Sequence, residues 1–230
     1  MKTRIKIING SLDFEIYGPS DKSLRNFFFK KNTKKQIISG LKNINLEISD
    51  GERVGFVGSN GAGKSTLLRV ISNIYELTSG KINVEGEMEV LLENEIGLEM
   101  DANGIENIYL ILLLSGVEKK KIDEKIKWII DFSGLGKNIY RPIRTYSSGM
   151  ITRLTTASKL SSSPDILILD EFFGTADKDF SKKVNTRFNE VIRNSGVFIC
   201  ASHNHQLINA LCNRVINLKN GEIISDTKRI

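Results

Sequence analysis

Histidine, cysteine and long apolar runs are scarce in this 230-residue chain, and each shortage removes a class of function. Histidine occurs only at positions 203 and 205, so a histidine-rich metal site is not available. Cys200 and Cys212 lack metal-ligand spacing and sit among apolar residues, which reads as two buried free thiols in a reducing cytosol rather than a disulfide. The most apolar stretch, Ile108 to Leu114, is about a third of the roughly 20 residues a spanning helix requires. No charged-then-apolar leader follows Met1. The expectation is a chain that does not cross a membrane by itself. Internal repeats and low-complexity tracts are also missing.

What is present is an ordinary globular composition, 40% hydrophobic and 26% charged, enough to bury one good core with or without a smaller lobe. The net charge of +6 raises the question of nucleic acid, but its distribution answers it. Residues 19–38 hold Lys22, Arg25, Lys30, Lys31, Lys34 and Lys35 against Asp21 alone, and the rest of the chain is nearly neutral. Basicity is local, and no nucleic-acid partner is expected.

Along the chain, Ile5 to Ile8 reads as a short strand, and a second lies within Ile37 to Ile48. After the Asp50-Gly51 turn, Arg53 to Val57 reads as a buried strand ending at Gly58. Lys64 to Ile74 then has helical spacing. Short strands follow to about Leu92, and about 97–144 is mostly helical by pattern, with Ile105 to Leu114 and Ile122 to Phe132 the clearest runs. Strand character returns at Ile166 to Leu169 and Val197 to Ala201, as continuous apolar runs covered on both faces. Leu207 to Cys212 reads as helix, and Asn220-Gly221 as a hairpin turn. The alternation predicts an α/β core with a mainly parallel sheet, interrupted by helices.

Three segments carry chemistry. Gly58-Ser59-Asn60-Gly61-Ala62-Gly63-Lys64-Ser65, with Thr66 next, fits G-x-x-x-x-G-K-[ST] between a predicted strand and a predicted helix. Glycines let backbone N–H groups turn inward around phosphate oxygens, and the helix N-terminus adds positive potential. Lys64 would reach the β- and γ-phosphates of ATP, and the Ser65 hydroxyl would hold Mg²⁺. Ile166 to Leu169 runs into Asp170 and Glu171, at the strand edge where α/β sheets hold ligands. There Asp170 suits Mg²⁺ through water, and Glu171 suits a general base toward water attacking the γ-phosphate. Tyr146-Ser147-Ser148-Gly149-Met150 precedes a helix reaching about Leu160, which offers a second anion-seeking helix N-terminus.

The order of these segments, followed by Ala201-Ser202-His203, resembles that of ABC ATPases, with a P-loop core, an antiparallel β subdomain and a helical subdomain. Tyr146 to Met150 is similar to the family's signature LSGGQ, with serine for the first glycine. The resemblance implies a head-to-tail homodimer in which Ser147 and Gly149 of one subunit contact ATP held by the other. It also implies a D-loop role for Asp177 and a catalytic switch role for His203. Phe14, with Tyr17 second, is the implied adenine platform. Arg144 to Met150, Gly104 to Ile108, Phe132 to Gly136, Ala201 to His203 and the opening 14–21 together resemble the bacterial, Wzt-like ATPases that export O-antigen, capsule or teichoic acid. That branch implies an ATPase acting as a polysaccharide translocase. Its partners would be an integral membrane permease in two copies and a lipid-linked polysaccharide. The subunit would sit peripherally on the cytoplasmic face of the inner membrane.

The chain departs from the family pattern in places. Glu93 is the best match to a glutamine that senses Mg²⁺ in many members, and Gly174-Thr175-Ala176 before Asp177 is unusual. The chain stops about ten residues after Asn220-Gly221, without the carbohydrate-binding domain some relatives carry. A single nucleotide-binding domain over 1–230 is expected, with a helical subdomain at about 97–160 and a basic insertion at 19–38. In that insertion Leu24, Phe27 and Phe28 form an apolar helical face among the lysines, suited to a membrane interface with anionic headgroups or a lipid pyrophosphate. Alternatives are an ABC transporter ATPase for another substrate, or a soluble ABC ATPase. The soluble reading is opposed by the lack of long coiled coils or a tandem second domain. A GTPase is opposed by the lack of Asn-Lys-x-Asp.

Overall fold

Asparagines in left-handed backbone shape the first sheet. In the computed structural model, which describes residues 2–16, 36–91, 97–170, 178–202 and 204–229, strand β1 spans Thr3–Ile16 and pairs antiparallel with β2, Gln36–Ser49. Strand β1 is much longer than the sequence pattern predicts, because it does not stop at Ile8, and β2 runs one residue past each end of the predicted span. Asn9 (φ 49°) and Asn43 (φ 48°) bulge the two strands. The displaced amides find side-chain acceptors: Asn9 N–H donates to Asn45 Oδ1 (2.9 Å) and Asn43 N–H to Ser11 Oγ (3.0 Å). Pairing then resumes as far as Ile16↔Gln36, so Gln36 to Ile38, the end of the expected basic insertion, are strand.

Contacts divide the chain into two compact units, Met1–Glu85 with Ile199–Ile230, and Gly86–Phe198. In the first unit β4 (Ser79–Val84) completes the antiparallel sheet in the order β2-β1-β4. Ile5, Ile7, Leu12, Leu41, Ile44, Leu46 and Ile48 turn inward from it. Strand β3 (Arg53–Val57), buried from Val54 onward, runs parallel to β8 (Arg214–Lys219), which turns at Asn220-Gly221 into antiparallel β9 (Glu222–Lys228). Helix α1 (Lys64–Ile71) ends three residues before the predicted Ile74, because Asn73 takes left-handed backbone (φ 55°).

In the second unit β5 (Met88–Leu91) pairs parallel with β6 (Ile166–Asp170), whose four apolar residues are at most 1% exposed. Helices α2 (Gly104–Leu114), α3 (Lys119–Ser133), α4 (Ser148–Lys159) and α5 (Lys178–Asn194) pack there. Helix α5 was not assigned in the sequence reading. Phe180, Val184, Phe188, Val191 and Ile192 bury one face of it, and Phe180 meets Phe132 of α3 edge-on at 5.9 Å. The all-buried strand β7 (Val197–Ala201) carries the chain into the first unit, followed by α6 (His205–Leu211). Cys200 and Cys212 are free and buried as expected, with sulfurs 3.5 Å apart.

Arg214 locks the first unit's edge. Its guanidinium donates to both oxygens of Asp226 (2.8 and 2.6 Å), to Glu52 Oε2 (2.8 Å) and to the Glu47 carbonyl (2.7 Å). The Arg214 hydrogen bond holds the Asp226 carboxyl below its ordinary range. Burial alone would raise Glu52, but Lys228, the Ser49 N–H and Arg214 outweigh it and hold it low. Arg214→Leu leaves the buried Glu52 carboxylate with only Lys228 and the Ser49 N–H, removes Asp226's bidentate partner, and is expected to cost about 3 kcal/mol in urea unfolding. Both carboxyls are depressed in the folded state, so their contribution is complete above the unfolded value near ~4. It is lost as pH falls through the lower folded values. The parent should therefore lose stability more steeply than Arg214→Leu below about pH 4, and parallel curves would contradict this account.

Candidate functional site

The phosphate loop follows from what surrounds it. Strand β3 delivers Gly58 from the core, Ser59 to Gly61 are exposed, and Gly63 (φ 105°) starts α1 as an N-cap without a side-chain hydrogen bond. With no capping side chain and no acidic residue in the first turn, the leading amides of α1 are left to an anion. Lys64 is only 8% exposed, and its ammonium donates to the carbonyls of Gly58 (2.9 Å) and Ser59 (3.1 Å). Among the described residues no carboxylate pairs with it, and its charge stands where phosphates would lie.

Phe14 belongs to the same unit. Its ring lies so close over Gly40 that a Cβ there would come within 2.6 Å of it, and the Gly40 carbonyl in turn backs Gly63. Tyr75, which the sequence reading missed, meets Phe14 edge-on at 5.6 Å, with the Arg69 guanidinium 5.8 Å over Tyr75. These residues build an aromatic wall beside the loop. Tyr75 follows the end of α1 by a few positions, and only the pairing of β1 with its neighbours brings it to Phe14.

In the second unit, Ser147 caps α4 by accepting from the Met150 N–H (3.3 Å), and Ser147, Ser148 and Gly149 are exposed. Tyr146 is buried behind them, donating its hydroxyl to the Asn138 carbonyl (2.8 Å), and burial pushes its phenol pKa up. That hydroxyl leaves no room for a Cβ on Gly104, which explains the glycine that opens α2. The rest of the 104–108 motif is structural too. Asn103 and Glu106 form a reciprocal capping box, and buried Asn107 binds the Glu99 N–H (2.8 Å) and the Glu99 carbonyl (3.0 Å). Asp170 is half-buried at the end of β6. Tyr17, Glu93, Glu171, Asp177 and His203 lie outside the described residues, as does the insertion up to residue 35.

Mg²⁺ can be tested only on its donor set. Ser65 offers a hydroxyl and Asp170 a carboxylate, both half-buried, and no described residue hydrogen-bonds either side chain. Each is a hard oxygen donor of the kind Mg²⁺ takes. Among the described residues no cluster of three or more His, Cys, Asp or Glu could hold a metal alone.

A glycine loop between a buried strand and an uncapped helix, closed over a buried lysine, defines a P-loop nucleotide-binding protein. More narrowly, the chain belongs to the ABC transporter family, whose sequence model matches residues 41–174, and it is an ABC ATPase. It is 39% identical to the O-antigen export system ATP-binding protein RfbE of Yersinia enterocolitica, over 96% of this chain and 97% of that protein. It is 34% identical to the teichoic acids export ATP-binding protein TagH of Listeria innocua, over 93% of this chain and 63% of that protein. The chain thus spans under two thirds of the TagH relative's length. Its fold is similar to a dimeric ATP-binding cassette solved in a post-hydrolysis state with ADP and Pi, at a TM-score of 0.70, 20% identity, and coverage of 97% of this chain and 98% of that one.

Proposed function

We propose that this chain is the ATP-hydrolysing subunit of a transporter that exports a lipid-linked polysaccharide of the O-antigen, capsule or teichoic-acid kind. The observation that carries this reading is the 39% identity to an O-antigen export ATP-binding protein over nearly the full length of both chains. The chain acts as one nucleotide-binding domain in a homodimer, peripheral to the cytoplasmic face of the membrane. Two copies of an integral permease complete the assembly. No helix among the described residues is long and apolar enough to span a membrane.

The surface of α2 supports a protein partner. Tyr109, Leu110, Leu113 and Leu114 are 39–80% exposed, a whole apolar face outside the core. Beside α2, a cavity of about 220 Å³ is lined by Ile111, Leu112 and Val117 with Glu89 and Lys159. Burial raises the Glu89 carboxyl and lowers the Lys159 ammonium, and the two charges partly offset each other's burial.

In this reading Lys64 and the amides of residues 59–66 hold the ATP phosphates, and Phe14, with Tyr17 or Tyr75 beside it, takes the adenine. Ser65 and Asp170 would hold Mg²⁺, with Glu93 a further candidate; bound there, the ion neutralises phosphate charge. Glu171 takes the proton of the attacking water, and His203 orients the γ-phosphate. Asp177 works at the dimer seam, and Tyr146 to Met150 close over the ATP of the opposite subunit. Closure gains affinity only when ATP bridges both halves, and hydrolysis removes that gain. Deleting the chain from its host should strand lipid-linked polysaccharide inside the cell and clear the surface of polysaccharide. Normal surface polysaccharide in the deletion strain would sink the proposal.

A further inference from the structure

A loop with three exposed residues and two glycines at its ends must be held from behind, or the cost of ordering it falls on ATP binding. The backing comes from the far end of the chain. Gly221, in the β8–β9 turn, donates its N–H to the Ala62 carbonyl (2.9 Å), and its own carbonyl accepts from the Lys42 N–H (2.8 Å). Gly58, at the loop's start, lies directly against the Leu218 carbonyl at the end of β8. At the loop's other end, the Cβ position of Gly63 is 3.1 Å from the Gly40 oxygen and 3.3 Å from Gly221 Cα. Gly221 itself has φ 82°, and a Cβ there would meet the Gly40 oxygen at 2.8 Å and Leu41 Cα at 3.2 Å. Every neighbour in that set is backbone, which cannot rotate away.

We infer that Gly221, with Gly40 behind it, is a positioning residue for the phosphate loop: it sets the affinity for ATP without touching the nucleotide. An Asn-Gly pair at a hairpin would ordinarily be a turn and nothing more. Here the turn is stacked backbone-to-backbone on the loop and hydrogen-bonded into it. The proposal rests on the reading that this loop binds ATP.

The test compares Gly221→Ala with Gly116→Ala in the full chain. Gly116 has a similar φ (75°), nothing within 4 Å of its Cβ position, and lies in the other unit, so it reports backbone strain alone. Thermal unfolding without nucleotide, the Kd for ATP and kcat at saturating ATP are measured for both. Gly221→Ala should weaken ATP binding about tenfold or more while kcat changes less than about threefold. Gly116→Ala should lose stability with Kd within about twofold of the parent. A folded Gly221→Ala with parental Kd overturns the inference, as does an equal loss of affinity in Gly116→Ala.

Should Gly221→Ala not fold, ligation at Cys212 can replace the amide at Gly221 with an ester, which removes the hydrogen bond to Ala62 and adds no side chain. That protein should bind ATP roughly three- to tenfold more weakly, and parental binding overturns the inference. Failure of the unmodified chain to bind ATP would strike the ATP reading itself, and this one with it.

Discussion

Glu171→Gln should bind ATP as the parent does and hydrolyse it roughly 10²–10⁴-fold more slowly, the range for a lost general base. The residue follows Asp170 directly in the sequence, and β6, buried at every position before Asp170, ends there. Glutamine keeps the size and one acceptor but cannot take a proton, so binding and chemistry separate. Uncleaved ATP should then hold two subunits together, visible by size exclusion with ATP and Mg²⁺ and reversed on its removal. Turnover above about a third of the parent's would remove Glu171 from the role of base. Lys64→Ala differs in kind, since nucleotide affinity should fall along with turnover.

Gly149→Asp should abolish ATPase activity, by about 10²-fold or more, while leaving the subunit as stable as before. A Cβ at Gly149 meets only Ser147 Oγ, at 3.9 Å, so the fold has room for it. A carboxylate in the first turn of α4, which has no acidic residue of its own, even suits the helix dipole. Lost activity in a protein of unchanged melting temperature therefore points to an anion approaching that helix end from outside. Mixing Gly149→Asp with Lys64→Ala subunits assigns the source. If the signature acts across the dimer, the mixed dimer has one site with both defects and one with neither, and activity returns in part. Two inactive parents giving an inactive mixture, with dimers demonstrated by size, would argue against action in trans.

The local signals proved reliable where backbone chemistry alone sets the outcome. Gly58 to Ser65 after an apolar strand can do little except turn tightly into a helix. Ser147 at the start of its helix and Asn220-Gly221 as turn are likewise dictated within a few residues. The buried runs of β3, β6 and β7 are visible because strands covered on both faces are apolar throughout. The periodicity of Phe180, Val184, Phe188, Val191 and Ile192 also spells a helix, which the structure places at Lys178–Asn194.

Other features depend on contacts between distant residues, which no local pattern encodes. The length of β1 is one. Asn9-Gly10 after an apolar run reads as an end to the strand, and it becomes a bulge because Asn45 and Ser11, across the pair, accept the displaced amides. The wall of Phe14, Tyr75 and Arg69 is another, since a ring's neighbours depend on which strands pair. The support of Tyr146 by Gly104 and Asn138 is a third, joining three separate segments. The motif order along the chain is therefore enough to announce an ATP-binding loop, a carboxylate strand and a signature helix. How firmly the loop is held rests on Gly221, a glycine whose reason is a close approach of backbones from opposite ends of the chain.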